Sequence, residues 1–200
     1  MFASLSKTVA LAALLWTVPA APTFCQTEKA EAGPYALVAY VGGGLAYYPI
    51  APGSPPPGVP HDLTRFGGSG TLRVMWHPDH LIRLGVETGW TTFYSYRLTQ
   101  APGGELHLSA IPLLWVMSME LFGVNIFAGS GYYLLNSNLQ YEGTVDVQTW
   151  SLGWMLAASY LRPISENLGI AGELKWMNAS EHEEASLALQ VQLVWKIMEW

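Results

Sequence analysis

Large apolar residues recur at every second position through 186–200. Leu187, Leu189, Val191, Leu193, Trp195 and Ile197 alternate with Ala188, Gln190, Gln192, Val194 and Lys196. Period two over that length predicts a β-strand with one apolar face and one mixed face. The pattern returns along the chain. It predicts a strand over 34–48, with Tyr35, Leu37, Ala39, Val41, Leu45 and Tyr47 opposite a small face of Ala36, Gly42, Gly44 and Ala46. Over 65–76 it sets Phe66, Leu72, Val74 and Trp76 against Arg65, Ser69, Thr71 and Arg73. Over 81–96 it sets Ile82, Leu84, Val86, Trp90, Thr92, Tyr94 and Tyr96 against Arg83, Gly85, Glu87, Gly89 and Thr91. Two more follow. Over 148–161, Trp150, Leu152, Trp154, Leu156 and Tyr160 oppose Thr149, Ser151, Gly153, Ala157 and Ser159; over 168–177, Leu168, Ile170, Leu174 and Trp176 oppose Ala171, Glu173 and Lys175.

The stretch 106–128 is less regular. Glu120 is its one charge after His107, and a hydropathy window marks it as a transmembrane helix. Pro112 and the glycine and β-branched content after Phe122 are poor helix material. A turn at 119–121 divides it into two strands instead. The first keeps Leu106, Leu108, Ala110, Pro112, Leu114 and Val116 on one face and leaves His107, Ser109 and Trp115 on the other, inward one. The second, 122–134, sets Val124, Ile126, Ala128 and Tyr132 outward and Asn125 and Gly129 inward.

Eight strands result, joined alternately by long polar connections (49–62, 97–104, 136–147, 178–185) and short turns (77–80, 119–121, 162–167). An even number of strands with alternating long and short links is the plan of outer-membrane barrels, whose short turns lie in the periplasm. The fold expected is therefore all-β, an eight-stranded antiparallel up-and-down transmembrane β-barrel over 34–200. The outward aromatics then gather in two belts, Tyr35, Trp76, Tyr160 and Trp195 toward the periplasm and Tyr47, Trp90, Tyr94, Tyr132, Trp150 and Trp176 toward the exterior.

Composition agrees. Half of the residues are hydrophobic and 12% are charged, against about 25% in ordinary soluble domains. Nine Trp, ten Tyr and twenty Gly suit strands with aromatic belts. A net charge of −6 gives no basic footprint for nucleic acid. Residues 1–25 read as a signal peptide, with Lys7 ahead of an apolar run at 9–18, and 26–33 as a short linker. Cleavage after Ala20 and cleavage after Cys25 both fit. Thr23 and Phe24 poorly match the small residues a lipoprotein anchor wants before its Cys, and with Cys25 the sole cysteine no internal disulfide forms.

In hydrocarbon every backbone amide must be paired, so the sheet has to close. At eight strands the interior is just wide enough for side chains to fill. The inward residues Arg73, Arg83, Glu87, Asn125, Glu173, Lys175, Gln190, Gln192 and Lys196 are expected to form a polar plug, which argues against a continuous pore. His107 and Ser109, two apart and inward, are the candidate base and nucleophile, with Glu87 on the neighbouring strand as orienting carboxylate. The alternative reading makes them ordinary plug residues. His77 and His80 read as turn residues, and 181–184 (EHEE) as a solvated loop. No cofactor or metal site is expected.

The mature chain resembles the small eight-stranded outer-membrane β-barrel proteins, notably in the run 108–114 (LSAIPLL) and the glycine-rich 127–133 (FAGSGYY). A narrower resemblance is to lipid A deacylase-type barrels, which carry His-x-Ser-Asn-Ala on the penultimate strand and a Glu on the last. Here Lys175, Met177 and Leu189 stand at the His, Ser and Glu positions, before the retained Asn178-Ala179. The resemblance implies the scaffold without that triad. The function expected is a monomeric, non-enzymatic barrel in the bacterial outer membrane, in contact with its lipid and lipopolysaccharide and inserted by the barrel-insertion machinery. Its loops would serve surface interaction or envelope integrity. The alternatives are a lipid-modifying hydrolase using His107 and Ser109, or a narrow channel.

Overall fold

The computed structural model describes residues 35–50, 61–78, 81–98, 105–140, 144–182 and 184–200. The expected signal peptide and linker, residues 51–60 of the proline-rich connection, and positions 79–80, 99–104, 141–143 and 183 lie outside them. The strands are β1 (Ala36–Tyr47), β2 (His61–Thr64), β3 (Phe66–His77), β4 (Arg83–Leu98), β5 (Glu105–Leu121), β6 (Val124–Gln140), β7 (Thr144–Pro163), β8 (Leu168–Ala179) and β9 (Glu184–Glu199), with a short 3-10 turn at Ser180–His182. Among the described residues no helix is long and apolar enough to cross a membrane, and the apolar 106–128 stretch is two strands joined by a turn at 122–123.

Every pairing is antiparallel, and β1 bonds both β3 and β9, so the sheet closes through eight strands, β1-β3-β4-β5-β6-β7-β8-β9. β2 is not a separate stave. It pairs with β4 alone and prolongs β3 past Arg65. Closure gives each of the eight staves a neighbour on both sides among the described residues.

Period two sorts the side chains. On β9 the even-numbered Ser186, Ala188, Gln190, Gln192 and Val194 are buried in the lumen, while Leu189, Val191, Leu193 and Trp195 are exposed. β3, β7 and β8 follow the expected parity in the same way. β1 keeps its parity too, but its inner face is not small. Val38, Tyr40 and Tyr48 lie on it, buried.

β5 is inverted relative to expectation. Leu108, Ala110, Leu114 and Val116 are 0–8% exposed, whereas Ile111, Leu113, Trp115 and Met117 are 40–75% exposed. Both parities of this strand are apolar, so alternation alone gives it no direction. Register with β6 does. Asn125 faces the lumen and stands opposite Glu120, and cross-strand partners share a face, so the even residues of β5 point inward with it. The connecting turn is also displaced from 119–121 to Phe122-Gly123, where φ is 53° and 78°. Positive φ at both central residues is the type I′ hairpin turn, which suits Asn-Gly better than a bulky first residue. Phe122 is 96% exposed, so nothing in the packing requires its ring. Replacing it by Asn is expected to raise stability by about 1 kcal/mol, read as a higher urea midpoint for the barrel in vesicles; a lower midpoint would contradict this backbone assignment.

Three other departures matter. The β4–β5 ladder slips between Thr92 and Tyr94, leaving Phe93 as a bulge. Beyond it the parity reverses, so Tyr94 and Tyr96 oppose inward Leu108 and Leu106 instead of facing out. The connection 136–147 is largely strand: Asn136–Gln140 of β6 pairs residue for residue with Thr144–Gln148 of β7. Its polar residues belong to a ladder that continues past the apolar belt. The last departure is at the C-terminus, where Leu37 pairs with Met198 and Val38 with Lys196, so Ile197 is an extra residue. Trp200 thereby comes into phase with the outward row. It exchanges backbone hydrogen bonds with Tyr35 (3.2 and 2.9 Å), and the Tyr35 ring stacks between Trp200 and Trp76.

Pro112 sits inside β5, where a donor is missing. The β4–β5 pairing is interrupted opposite it, at Gly89 and Trp90. Gly89 has φ of 156°, and an added Cβ would lie 2.1 Å from the Gly70 carbonyl oxygen, so glycine is required at this break.

Candidate functional site

Arg73 and Glu87 face each other across the β3–β4 ladder. Glu173 and Lys175 are successive inward residues of β8, on the opposite wall. Four side chains thus converge in the lumen and close a ring. Arg73 contacts Glu87 at 2.5 Å and Glu173 at 2.7 Å; Lys175 contacts Glu87 at 2.7 Å and Glu173 at 3.0 Å. All four are 0–1% exposed. Two cations and two anions leave the cluster neutral, which is what burial demands. The guanidinium also lies 4.0 Å from the centroid of the Phe127 ring.

A second tier continues from the ring. Lys175 Nζ donates to Thr71 Oγ1 (2.6 Å), Thr71 donates to Gln190 Oε1 (2.8 Å), and Gln190 Nε2 donates to Ser69 Oγ (2.6 Å). Lys175 therefore has oxygens of Thr71, Glu87 and Glu173 for its three ammonium protons. With all three engaged, it is not placed to act as a base.

On one side of the ring the lumen is apolar, filled by Phe93, Leu108, Leu114, Tyr133, Met155 and Met177. Tyr48 caps this layer, its ring 4.9 Å from that of Tyr94. Its phenol is pushed up from its ordinary pKa, first by burial and then by a hydrogen bond to Glu184, so it remains a protonated donor there. On the other side, Arg83 donates to Asn125 Oδ1 (2.7 Å) and Glu120 Oε2 (2.9 Å), and Lys196 bonds Glu199 at 3.0 Å. The expected plug residues thus separate into three places: Arg73, Glu87, Glu173, Lys175 and Gln190 in the central network, Arg83, Asn125 and Lys196 at one mouth, and Gln192 buried near that mouth with no side-chain partner among the described residues.

His107 and Ser109 are not inward. They have the outward parity of β5, opposite Asn138 and Asn136 of β6 and Ser95 and Thr92 of β4. Glu87 belongs to the central ring, opposite Leu114. The three are not assembled, because the inversion of β5 carries the His-x-Ser pair through the wall. The Lys175, Met177 and Leu189 positions do not meet either: the first two are buried inside and Leu189 is exposed on the outer surface.

Reasoning from sequence missed the aromatic lining, Tyr40, Phe93, Phe127 and Tyr133. For Phe127 and Tyr133 the signal was available, since they share the parity of Asn125 and Gly129. For Phe93, a bulge residue, none was.

No known family model matches the chain, and no curated protein is similar to it. Solved structures are. A major outer membrane protein from Thermus thermophilus superposes with a TM-score of 0.56 at 13% identity, covering 82% of this chain and 99% of that one. The attachment invasion locus protein Ail of Yersinia pestis gives 0.49 at 6%, over 81% and 99%. Neisserial surface protein A gives 0.46 at 12%, over 84% and 100%. At such identities the Thermus likeness speaks for the fold alone.

Proposed function

We propose that the chain is exported by a cleaved signal peptide, inserted into a bacterial outer membrane as a monomer, and works there without catalysing a reaction. It is a sealed barrel that holds polar hairpins outside the bilayer, for surface interaction or envelope integrity. The observation that carries this reading is the outer surface. On β5 the outward residues are apolar from Leu121 to Ile111 and polar from Ser109 on; on β7 they are apolar from Tyr160 to Trp150 and polar from Gln148 on. Ten residue steps at a strand tilt of about 40° span about 25 Å, the height of a lipid-facing belt. The belt is apolar outside and encloses a buried charged ring, whereas a soluble barrel turns its polar residues outward.

Outward aromatics support the same frame. Tyr35, Trp76, Trp200, Tyr160 and Trp195 lie toward the mouth that holds Arg83; Tyr47, Trp90, Tyr132, Trp150 and Trp176 lie toward the long hairpins. Two girdles at the membrane interfaces follow, with Tyr94 removed to the interior and Trp115 and Trp154 outward between them. The bulge at Ile197 restores Trp200 to the outward phase. Lipid and lipopolysaccharide are then the constant partners. The ring and the apolar layer close the lumen, which favours a plug over a channel.

An epitope inserted after Gln140 tests the orientation. Antibody is expected to bind it on intact cells; binding only after the outer membrane is permeabilised would overturn the topology. The hydrolase reading is tested alongside, with lipid A acylation expected to be the same with and without the wild-type protein.

A further inference from the structure

On β7, Leu161 and Pro163 line the cavity inside the mouth that holds Arg83, so Arg162 between them points the other way, onto the outer surface. Its cross-strand partner Ile170 is exposed there too. At the same mouth Arg83 is paired with Glu120 and Lys196 with Glu199, whereas Arg162 has no carboxylate partner among the described residues. Tyr160, the last residue of the apolar outward run on β7, is two positions away. At the rise and tilt of these strands Arg162 stands about 5 Å past it. The headgroup layer bordering the hydrocarbon is about 5–7 Å thick on each side, so the guanidinium lies at the depth of lipid phosphates. Beside it is a notch. Gly172 faces outward on β8 between Tyr160 of β7 and Val191 of β9. A Cβ there would meet nothing within 4 Å, alone among the described strand glycines. Ile170 and Leu174 close the notch along β8, both exposed. Arg162 is its diagonal neighbour across the ladder, about 7–8 Å away.

The geometry points to a binding site for one anionic glycerophospholipid, its phosphate on the Arg162 guanidinium and the start of one acyl chain in the Gly172 notch. A guanidinium offers parallel N–H donors that match two phosphate oxygens. With no carboxylate beside it, Arg162 is a net positive charge, which favours a headgroup of net negative charge over one that carries its own ammonium. The notch is apolar on every side except its glycine backbone, and an acyl chain lying in it gains contacts that an empty gap forfeits. The 7–8 Å between the two halves is the length of the glycerol and ester that join a phosphate to its chain. A soluble phosphate ester would use the arginine and leave the notch empty, so the two halves are tested separately. The inference rests on the membrane reading above, and assigning the site to the periplasmic leaflet rests on the orientation proposed there.

The test uses the protein purified from expressing cells in a non-ionic detergent and titrated with phosphatidylglycerol or phosphatidylcholine. Bound lipid is counted by native mass spectrometry. The wild type is expected to hold one phosphatidylglycerol more tightly than phosphatidylcholine. Arg162→Gln is expected to weaken phosphatidylglycerol about tenfold and to remove the preference. Arg162→Lys, which keeps the charge without the fork, is expected to fall between. Gly172→Leu, with Arg162 intact, is expected to weaken both lipids; Gly172→Val replaces it if the leucine variant loses its heat-modifiable gel migration. Arg97→Gln, at the other end of the barrel, is expected to leave the site as it is. Equal retention by the wild type and Arg162→Gln overturns the phosphate contact, and full retention by Gly172→Leu overturns the acyl-chain contact. Displacement by glycerol 3-phosphate at the lipid's own concentration overturns the lipid assignment in favour of a bare anion site. A protein that fractionates with the outer membrane but shows no dependence on Arg162 loses this site and keeps the membrane reading. A protein recovered soluble loses the membrane reading whatever the titration gives.

Discussion

Replacing Lys175 by Met is expected to cost the barrel about 3–5 kcal/mol, because Glu87 and Glu173 then share Arg73 alone while remaining out of water. The measurement is the urea unfolding midpoint in phosphatidylcholine vesicles. Thr71 loses its ammonium donor at the same time, which loosens the tier through Gln190 to Ser69. The control is the pair variant Glu173→Leu with Lys175→Met. It removes one anion with one cation, leaves the Arg73–Glu87 contact, and is expected to recover most of the loss. A single variant as stable as the wild type would mean that the ring is open to solvent, and the sealed-lumen account would fall. A pair variant as unstable as the single would mean that packing, not charge, dominates the loss.

Met117→Arg is the second large effect. Met117 lies near the middle of the apolar outward run of β5, 56% exposed, where an arginine in hydrocarbon costs about 2–4 kcal/mol against about 0–1 near the interface. His107→Arg, on the same face beyond the belt, is expected to fall in the second class. The comparison reads the direction of β5 and the position of the belt together. Equal effects at the two positions would remove the basis for both.

Where the two faces of a strand differ chemically, the sequence was sufficient. On β8, Glu173 and Lys175 against Leu174 and Trp176 allow one orientation. On β9, Gln190 and Gln192 against Leu189, Val191 and Leu193 do the same. β5 has Leu, Ala and Val on one face and Ile, Leu, Trp and Met on the other, so its direction comes from its hairpin with β6, and a turn misplaced by a few residues reverses every side chain. The Phe93 and Ile197 bulges are likewise decided by pairing. The members of the charged ring were readable as inward residues, yet not their partnership. Arg73 and Glu173 are 100 positions apart and meet only because β1 and β9 close the circle between their strands. The aromatic lining escaped because an aromatic residue in such a chain invites an outward assignment, although an eight-stranded lumen also needs large side chains to fill it.

The proposed function rests on this closed sheet spanning a membrane. Fractionation of expressing cells, followed by gel migration of the protein with and without heating, tests it most directly. The chain is expected in the outer-membrane fraction, released only by detergent, and migrating differently unheated from heated. Recovery in the soluble fraction without detergent would contradict the account.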